Sequence, residues 1–441
     1  MAVGLYSGVS GLAVGVGLYK GVSGLWGGSS GLINGFGGSG PFPGASLYLD
    51  FLTPPLDSRI TFSRGTNATL VDSTGKITYA PANLLLQSQT FEDAYWSKFG
   101  TGVAVPPVVT ANAGVAPDGT TTADRVQFNC VDNTNSANRS WVNPTSLSQP
   151  VGLNYVGSVW VKAFDLASVG RTLRLAIDNL AGNVFTVTAD WQRISITGLA
   201  VGTIGNFLIE TRGTFTTQTA DVLLWGAQLE PVTYQTTPGP YVATTASAFY
   251  GPRFDYDPVT LAPRGLLIEE ARTNLLTYSA EFDNAIWGKS NATVAANVTA
   301  SPDGTTNADT ITEDSATSTH GVSQISGSTA TGAFSFSVFV KANGRSGVNL
   351  FLRNGGGGNI AEAFFNLSAA TATVSGMLLQ TGWSAASAAI QVLANGWYRC
   401  VISATADGTL TQAKTGFIRL NNGTGSNPSY AGNGTSGIFA W

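Results

Sequence analysis

The residues of this chain best suited to hold a ligand are aromatic. Trp141 and Trp383, with Arg139, are the candidates. A sugar ring has an apolar C–H face and a rim of hydroxyls, so an exposed aromatic ring beside polar groups can bind it. Trp141 lies in NRSWVN, where Arg139, Asn138 and Asn143 can supply that rim. The chemistry expected is stacking and hydrogen bonding, without bond making.

Catalytic chemistry finds little support. The single histidine, His320, sits in DSATSTHGVSQ, a polar, loop-like stretch, and no serine has the nucleophile-elbow context. Asp255, Asp257, Glu269 and Glu270 could pair for glycoside hydrolysis, which needs carboxyls on both sides of a sugar bond. Glu269 and Glu270 are adjacent, however, and in a strand face opposite ways. Solvated or turn-capping carboxylates are the simpler reading. NGGGGN (354–359) lacks the Lys-Ser/Thr of a phosphate loop and reads as a hairpin tip. Asp118, Asp124, Asp303 and Asp309 are weak candidates for calcium, a hard cation that takes oxygen ligands; as turn residues in PDG and nearby they need no metal. Cys130 and Cys400 read as two isolated buried thiols, although spacing alone leaves a disulfide open. The chain is therefore expected to be no enzyme and to need no cofactor.

Composition narrows the class. Of 441 residues only 11% are charged while 43% are hydrophobic, which excludes an extended disordered chain. A net charge of −4 argues against nucleic-acid binding. No apolar run is long enough for a membrane-spanning helix, and the N-terminus lacks the basic start of a secretory signal.

Internal repetition supplies the architecture. NLLLQSQTFEDAYW (83–96) matches NLLTYSAEFDNAIW (274–287), and APDGTTTADRV (116–126) matches SPDGTTNADTI (301–311). SVWVKA (158–163) matches SVFVKA (337–342), WQRISIT (191–197) matches WYRCVIS (397–403), and VLLW (222–225) matches IFAW (438–441). The order is kept while offsets drift, as loop-length changes would cause. Period-two runs separated by Gly, Asn, Asp and Ser clusters predict strands. The fold class expected is all-β: tandem antiparallel jelly-roll sandwiches over 83–242 and 274–441, with a small β connector built from 47–82 and 243–273. Paired Trp96/Trp287, Trp191/Trp397 and Trp225/Trp441 are expected to be packing anchors. Trp141 and Trp383 have no counterpart, which leaves them freer to serve a ligand. GAQLEP follows Trp225 but nothing matches it after Trp441, so the second copy is expected to lack its last strand.

Residues 1–46 differ from the rest. Their glycine-rich heptads carry Leu5, Tyr6, Leu12, Leu18, Tyr19, Leu25, Trp26 and Leu32 at regular spacing. A lone helix so rich in glycine would not persist, since each glycine costs about 1 kcal/mol against alanine. An assembly anchor seated on a partner is the preferred reading; a flexible leader and a membrane-active glycine zipper are the alternatives.

LDSRITFSRGTNATLVDSTGKI, then PRFDYDPVTLAPRGLLIEEARTNLL, then a jelly roll ending in WGAQLEP, resembles bacteriophage head-spike, head-fibre and tail-fibre proteins. The resemblance covers residues 47–441. It implies a structural protein on the surface of a virion or phage-like particle, attached to capsid or tail proteins through the N-terminal segment and homo-oligomeric. Its β domains would project toward host-surface polysaccharide, and head attachment is favoured over tail. The jelly rolls alone are similar to carbohydrate-binding modules of secreted glycosidases. A secreted pair of such modules, or the first part of a glycan-depolymerising tailspike, is therefore the alternative.

Overall fold

The structure, a computed structural model, describes residues 49–131, 135–180, 182–270, 273–355, 359–368, 373–422 and 429–441. The anchor residues Leu5 to Leu32 lie outside them. The chain divides into two compact units. The first takes in Thr78–Asp255 and Arg264–Leu267 with the described residues up to Leu70; the second takes in Val71–Ile77, Tyr256–Pro263 and Ile268–Trp441.

Three short strands come first: β1 (Thr69–Val71), β2 (Ile77–Tyr79) and β3 (Ala82–Asn83). The first sandwich follows as β4 (Trp96–Thr101), β5 (Val105–Gly114), β6 (Ala123–Asn129), β7 (Arg139–Pro144), β8 (Asn154–Ala163), β9 (Thr172–Ile177), β10 (Asn183–Thr186), β11 (Gln192–Leu199), β12 (Phe207–Arg212) and β13 (Thr219–Val232). Its sheets run β10-β9-β12-β7-β4 and β11-β8-β13-β6-β5. Strands β6, β8, β11 and β13 lie in one sheet and β7, β9, β10 and β12 in the other. That is the eight-strand jelly roll, with β4 and β5 added at one edge of each sheet. Alternation drives the closure. Val142, Ile209 and Leu175 on one sheet and Val126, Val161 and Val222 on the other are fully buried in one core. Burying each such side chain is worth roughly 1.5–3 kcal/mol.

Short strands β14 (Phe249–Tyr250), β15 (Phe254–Tyr256) and β16 (Pro263–Leu266) follow, and β14 pairs with β3, so the two flanks of the first sandwich meet. The second sandwich comprises β17 (Gly288–Ser290), β18 (Ala292–Ala300), β19 (Thr306–Glu313), β20 (Thr317–Ser318), β21 (Gly321–Ile325), β22 (Gly332–Asn343), β23 (Gly347–Asn354), β24 (Ile360–Asn366), β25 (Thr373–Leu379), β26 (Trp383–Val392), β27 (Tyr398–Ala406), β28 (Lys414–Asn421), β29 (Tyr430–Ala431) and β30 (Gly437–Ala440). Its sheets run β17-β21-β28-β23-β24-β25 and β18-β19-β30-β22-β27-β26. The topology repeats, with β25 and β26 as an insertion that lengthens each sheet by one strand. A strand does occupy the central position in the second copy: β30 lies between β19 and β22 as β13 lies between β6 and β8. The architecture is thus all-β, and no helix among the described residues is long and apolar enough to cross a membrane.

The repeated carboxylates are internal clamps. Asp124 accepts the Phe91 N–H (2.6 Å) and the Asn112 N–H (2.9 Å). Asp309 accepts the Phe282 N–H (2.7 Å) and the Asn297 N–H (2.9 Å). Each ties the loop carrying a core tryptophan to a kinked edge strand; Asn112 and Asn297 both take positive φ, near 51° and 55°. Trp96 and Trp287 complete the motif by donating Nε1–H to Gln87 O and Tyr278 O, both at 2.9 Å.

Burial, with Glu92 close by, pushes the Asp124 carboxyl up to about 7. A carboxyl whose folded pKa exceeds its unfolded value near 3.8 stabilises fully below the latter and loses that contribution as pH rises through the former. Urea unfolding should therefore show unit-one stability falling between about pH 4 and about pH 7. Asp124→Asn, which offers one acceptor where two are needed, should cost roughly 1–3 kcal/mol and flatten that slope.

Candidate functional site

The outer face of the sheet β10-β9-β12-β7-β4 gathers the groups that sequence spacing only partly joined. One row crosses four strands: Phe99 opposite Trp141, Trp141 opposite Glu210, and Glu210 opposite Arg174. The adjoining inner row is Val142, Ile209 and Leu175, so the pleat forces these four side chains outward. Phe99 is 54% exposed and its ring lies 5.3 Å from that of Trp141. Arg139, two residues along β7, stacks its guanidinium over the same indole at 4.8 Å.

Glu210 organises the charges. Its side chain is fully buried under three arginines. Arg139 Nε donates to Oε2 (2.8 Å), while Arg174 Nη1 (2.9 Å) and Arg212 Nε (2.8 Å) donate to Oε1. Three permanently charged guanidiniums around one carboxylate leave a local excess of two positive charges, in a chain whose net charge is −4. The pairing also fixes the plane of Arg139, and through it the indole. The result is a flat, half-exposed aromatic surface bordered by N–H donors.

This face belongs to the first copy alone. Strand register places Ser290, Gly321, Arg419 and Asn349 of the second copy where the first has Phe99, Trp141, Glu210 and Arg174. The inner row, by contrast, reads Val322, Ile418 and Leu350, matching Val142, Ile209 and Leu175.

The structure brings Trp141 and Arg139 together but corrects Trp383. That ring is 5% exposed, packs in the second core edge-on to Phe334, and donates Nε1–H to Asn359 O (2.9 Å). It lacks a counterpart because it opens the inserted strand β26. Two of the expected rim residues serve the fold. Asn138 is buried with its Oδ1 on Val103 N, and Asn143 bonds Asn206 and Phe207 N. Asp118 and Asp303 cap turns by accepting Thr120 N (2.9 Å) and Thr305 N (2.7 Å). Together with the clamps Asp124 and Asp309, all four proposed calcium ligands face N–H donors, the wrong polarity for a cation. No cluster of three or more metal-ligating side chains occurs among the described residues. His320 lies not in an open loop but fully buried against Tyr430, its ring nitrogens at 2.8 Å and 3.2 Å from the carbonyl oxygens of Asn291 and Tyr430. Sequence reasoning missed Phe99, Arg174, Glu210 and Arg212. Phe99 carried a usable signal, since the matching position holds Ser290; the charged residues are 35 to 73 positions from Arg139 and join it only through strand order.

A second feature lies on the outer face of the other sheet. Arg193, Trp160 and Trp225 stand on adjacent strands, and with Tyr241 and Asp118 they line a shallow cleft of about 590 Å³. The second unit repeats this row as Arg399, Phe339 and Trp441, with the two rings 5.2 Å apart. Because it recurs in both copies, the row belongs to the common framework.

No family model matches the chain, and no curated protein matches it. Among solved structures it is similar to the CBM22-1–CBM22-2 tandem domain of Paenibacillus barcinonensis Xyn10C, at 12% identity over 86% of this chain and 98% of that one, with a TM-score of 0.24. It is also similar to the CBM22-1–GH10 modules of Clostridium thermocellum xylanase Xyn10B complexed with xylohexaose, at 16% identity over 34% of this chain and 28% of that one, TM-score 0.22. A third likeness is to the BiXyn10A CBM1, at 11% identity over 32% and 97%, TM-score 0.19. At such scores none of them bears on the site.

Removing the buried Glu210 carboxylate leaves three guanidiniums facing one another. Glu210→Ala should destabilise the first unit by roughly 3–5 kcal/mol, more than removal of any one of its arginines, as read by urea unfolding.

Proposed function

We propose that the first jelly roll is a non-catalytic carbohydrate-binding domain, and that its ligand is a glycan bearing carboxylate groups. The observation that carries this reading is the Phe99–Trp141 surface with Arg139 stacked on it and two uncompensated positive charges beside it. The sugar's C–H face stacks on the indole. Its hydroxyls and carboxylate accept hydrogen bonds from the guanidinium edges, charge-assisted in the case of the carboxylate. The core row beneath and the Glu210 clamp hold these groups in place before a ligand arrives.

The setting we propose is the surface of a phage or phage-like particle, where many copies add weak contacts into firm adhesion. That part rests on the FDYDPVTLAPRGLLIEEARTNLL block and the heptads before it. The second reading, a secreted glycan-binding pair, keeps the site and changes only the location.

Affinity electrophoresis against a panel of neutral and uronate-containing polysaccharides tests the ligand. Retardation is expected with the acidic ones. It should weaken as salt rises over the range that screens exposed charges, about 0.1 M to 1 M. Trp141→Ala should lower affinity at least about tenfold, equivalent to 1.4 kcal/mol, while leaving the unfolding midpoint nearly unchanged. Binding unaffected by that substitution would remove the site. Immunogold labelling of purified particles with antibody to residues 83–242 tests the setting, and unlabelled particles would leave the secreted reading.

A further inference from the structure

The cleft on the outer face of the sheet β11-β8-β13-β6-β5 has a ligand chemistry of its own. Its base is the common row, with Arg193 opposite Trp160 and Trp160 opposite Trp225. Its walls lie outside that row. One is the segment after β13, which brings the Tyr241 ring to 4.5 Å from that of Trp225. The other is the Pro117–Asp118 turn, where Asp118 is exposed although its counterpart Asp303 is only 5% exposed.

The first wall is held before any ligand arrives. Gly239 N–H donates to Glu230 Oε1 (2.8 Å) and Val242 N–H to Gln228 Oε1 (2.9 Å). Ser88 Oγ accepts Thr244 N–H (2.9 Å) and lies 2.6 Å from the Tyr241 hydroxyl. Beneath this wall β13 carries a bulge: its register against β8 shifts between Trp225 and Gln228, and Gly226 takes a φ of 65°. Bulges re-aim side chains, and glycine adopts this conformation without strain. A Cβ at Gly226 would meet Trp160 Cδ1 at 3.1 Å and Tyr241 Cε2 at 3.3 Å, so glycine lets both rings stand close over the strand.

The polar groups are of both kinds. Arg193 donates Nε–H to Ser158 Oγ (3.2 Å) and Nη1–H to Gly239 O (2.7 Å), but its buried Nη2 has no acceptor among the described residues. Neither has the buried Trp160 Nε1. Such orphaned donors are rare in a folded protein. Asp118 offers the opposite polarity: its Oδ1 takes the Thr120 N–H (2.9 Å) and hydroxyl (2.6 Å), which leaves Oδ2 for a donor. Charge is balanced here, because Arg193 has the buried Glu230 carboxyl near it and Asp118 across the cleft. The surplus positive charge of the Phe99–Trp141 face is absent. The volume, about 590 Å³, falls in the range of small-ligand sites, roughly 300–1,000 Å³.

We propose that this cleft is a second sugar site, specific for uncharged residues of a glycan. The C–H face of the sugar stacks on Trp160 and Tyr241, its oxygens accept from Trp160 Nε1 and Arg193 Nη2, and one of its hydroxyls donates to Asp118. A proline-rich peptide would also stack on these rings, but it brings carbonyl acceptors and few donors, which leaves Asp118 unanswered. The sandwich then carries a site on each outer face, one for acidic and one for neutral sugars.

Ligand-observed NMR on the whole chain tests this, with neutral disaccharides of glucose, galactose, mannose, xylose and N-acetylglucosamine as probes. At least one should bind saturably, and its affinity should hold between about 0.1 M and 1 M salt. Trp160→Ala should weaken that binding at least about tenfold. Trp160→Phe keeps a ring and removes only the indole N–H; it should weaken binding at least about threefold with the unfolding midpoint nearly unchanged. Asp118→Asn, which keeps an acceptor for Thr120, should weaken it as well. Trp141→Ala should leave neutral-sugar binding intact, and Trp160→Phe should leave retardation by acidic polysaccharides intact, so either site can fail alone. No saturation by any probe up to about 50 mM would overturn the proposal. So would neutral-sugar binding that ignores both Trp160 substitutions, that is lost in Trp141→Ala, or that is weaker than binding of a polyproline peptide at the same cleft.

Discussion

Both sandwiches depend on one constraint: the strand at the centre of the second sheet must satisfy its main-chain groups on both sides at once. A buried peptide group without a partner costs about as much as a lost hydrogen bond, so the neighbours of this strand are fixed by it. In the first unit this explains why NLL at residues 83–85 is core. Asn83 turns its amide inward to the strand at Ala227, and Leu84 and Leu85 follow it into burial. In the second unit Asn274 and Leu275 of the matching tripeptide are exposed, while Leu276 packs, partly buried, against the core.

A second constraint is charge. With 11% charged residues, few ionic groups are available, and the structure puts several of them inside. Burying an ion is costly unless it is paired and hydrogen-bonded. Asp124 and Asp309 each accept a pair of backbone N–H groups, but burial outweighs these donors and holds both carboxyls above the usual range. Glu313 meets that cost with Arg345 Nε (2.8 Å), the Tyr430 hydroxyl (2.8 Å) and Asn433 N (2.9 Å), and these partners outweigh burial to hold its carboxyl below the usual range. Glu210 is different in kind. Its three arginines exceed what neutralising one carboxylate requires, and the excess faces outward beside an aromatic surface.

Much of the fold was legible in the sequence. Period-two runs, the five matched segments and the turn residues between them led to tandem antiparallel sandwiches, because strand alternation and loop drift leave direct marks on a chain. The site was only half legible. Trp141 and Arg139 share a strand face and so lie two residues apart. Phe99, Glu210 and Arg174 reach them across strands, and β12 and β9 follow β7 in the sheet only through jelly-roll crossovers that local pattern does not encode. The aspartates read more simply as turn residues, with calcium a weak alternative, because a carboxylate that accepts backbone N–H groups and one that binds a cation look alike until the partners are known.

Trp383 shows the limit of reasoning from duplication. A residue without a counterpart can be one that a ligand selected, or one that an insertion brought with it. Trp141 and Trp383 are indistinguishable on that criterion. The strand register separates them. Around Trp141 the inner row Val142, Ile209 and Leu175 keeps its partners Val322, Ile418 and Leu350 in the other copy, so the strands are truly equivalent and only the outward side chains have changed. Around Trp383 the strand itself is extra, and the indole fills the core that strand creates. Divergence on an outer face above a retained inner row is free of packing demands. The aromatic and cationic groups gathered there lie outside the inner rows that close the sandwich, and the proposed ligand would account for an exposed phenylalanine, a partly exposed indole and two surplus charges on one face.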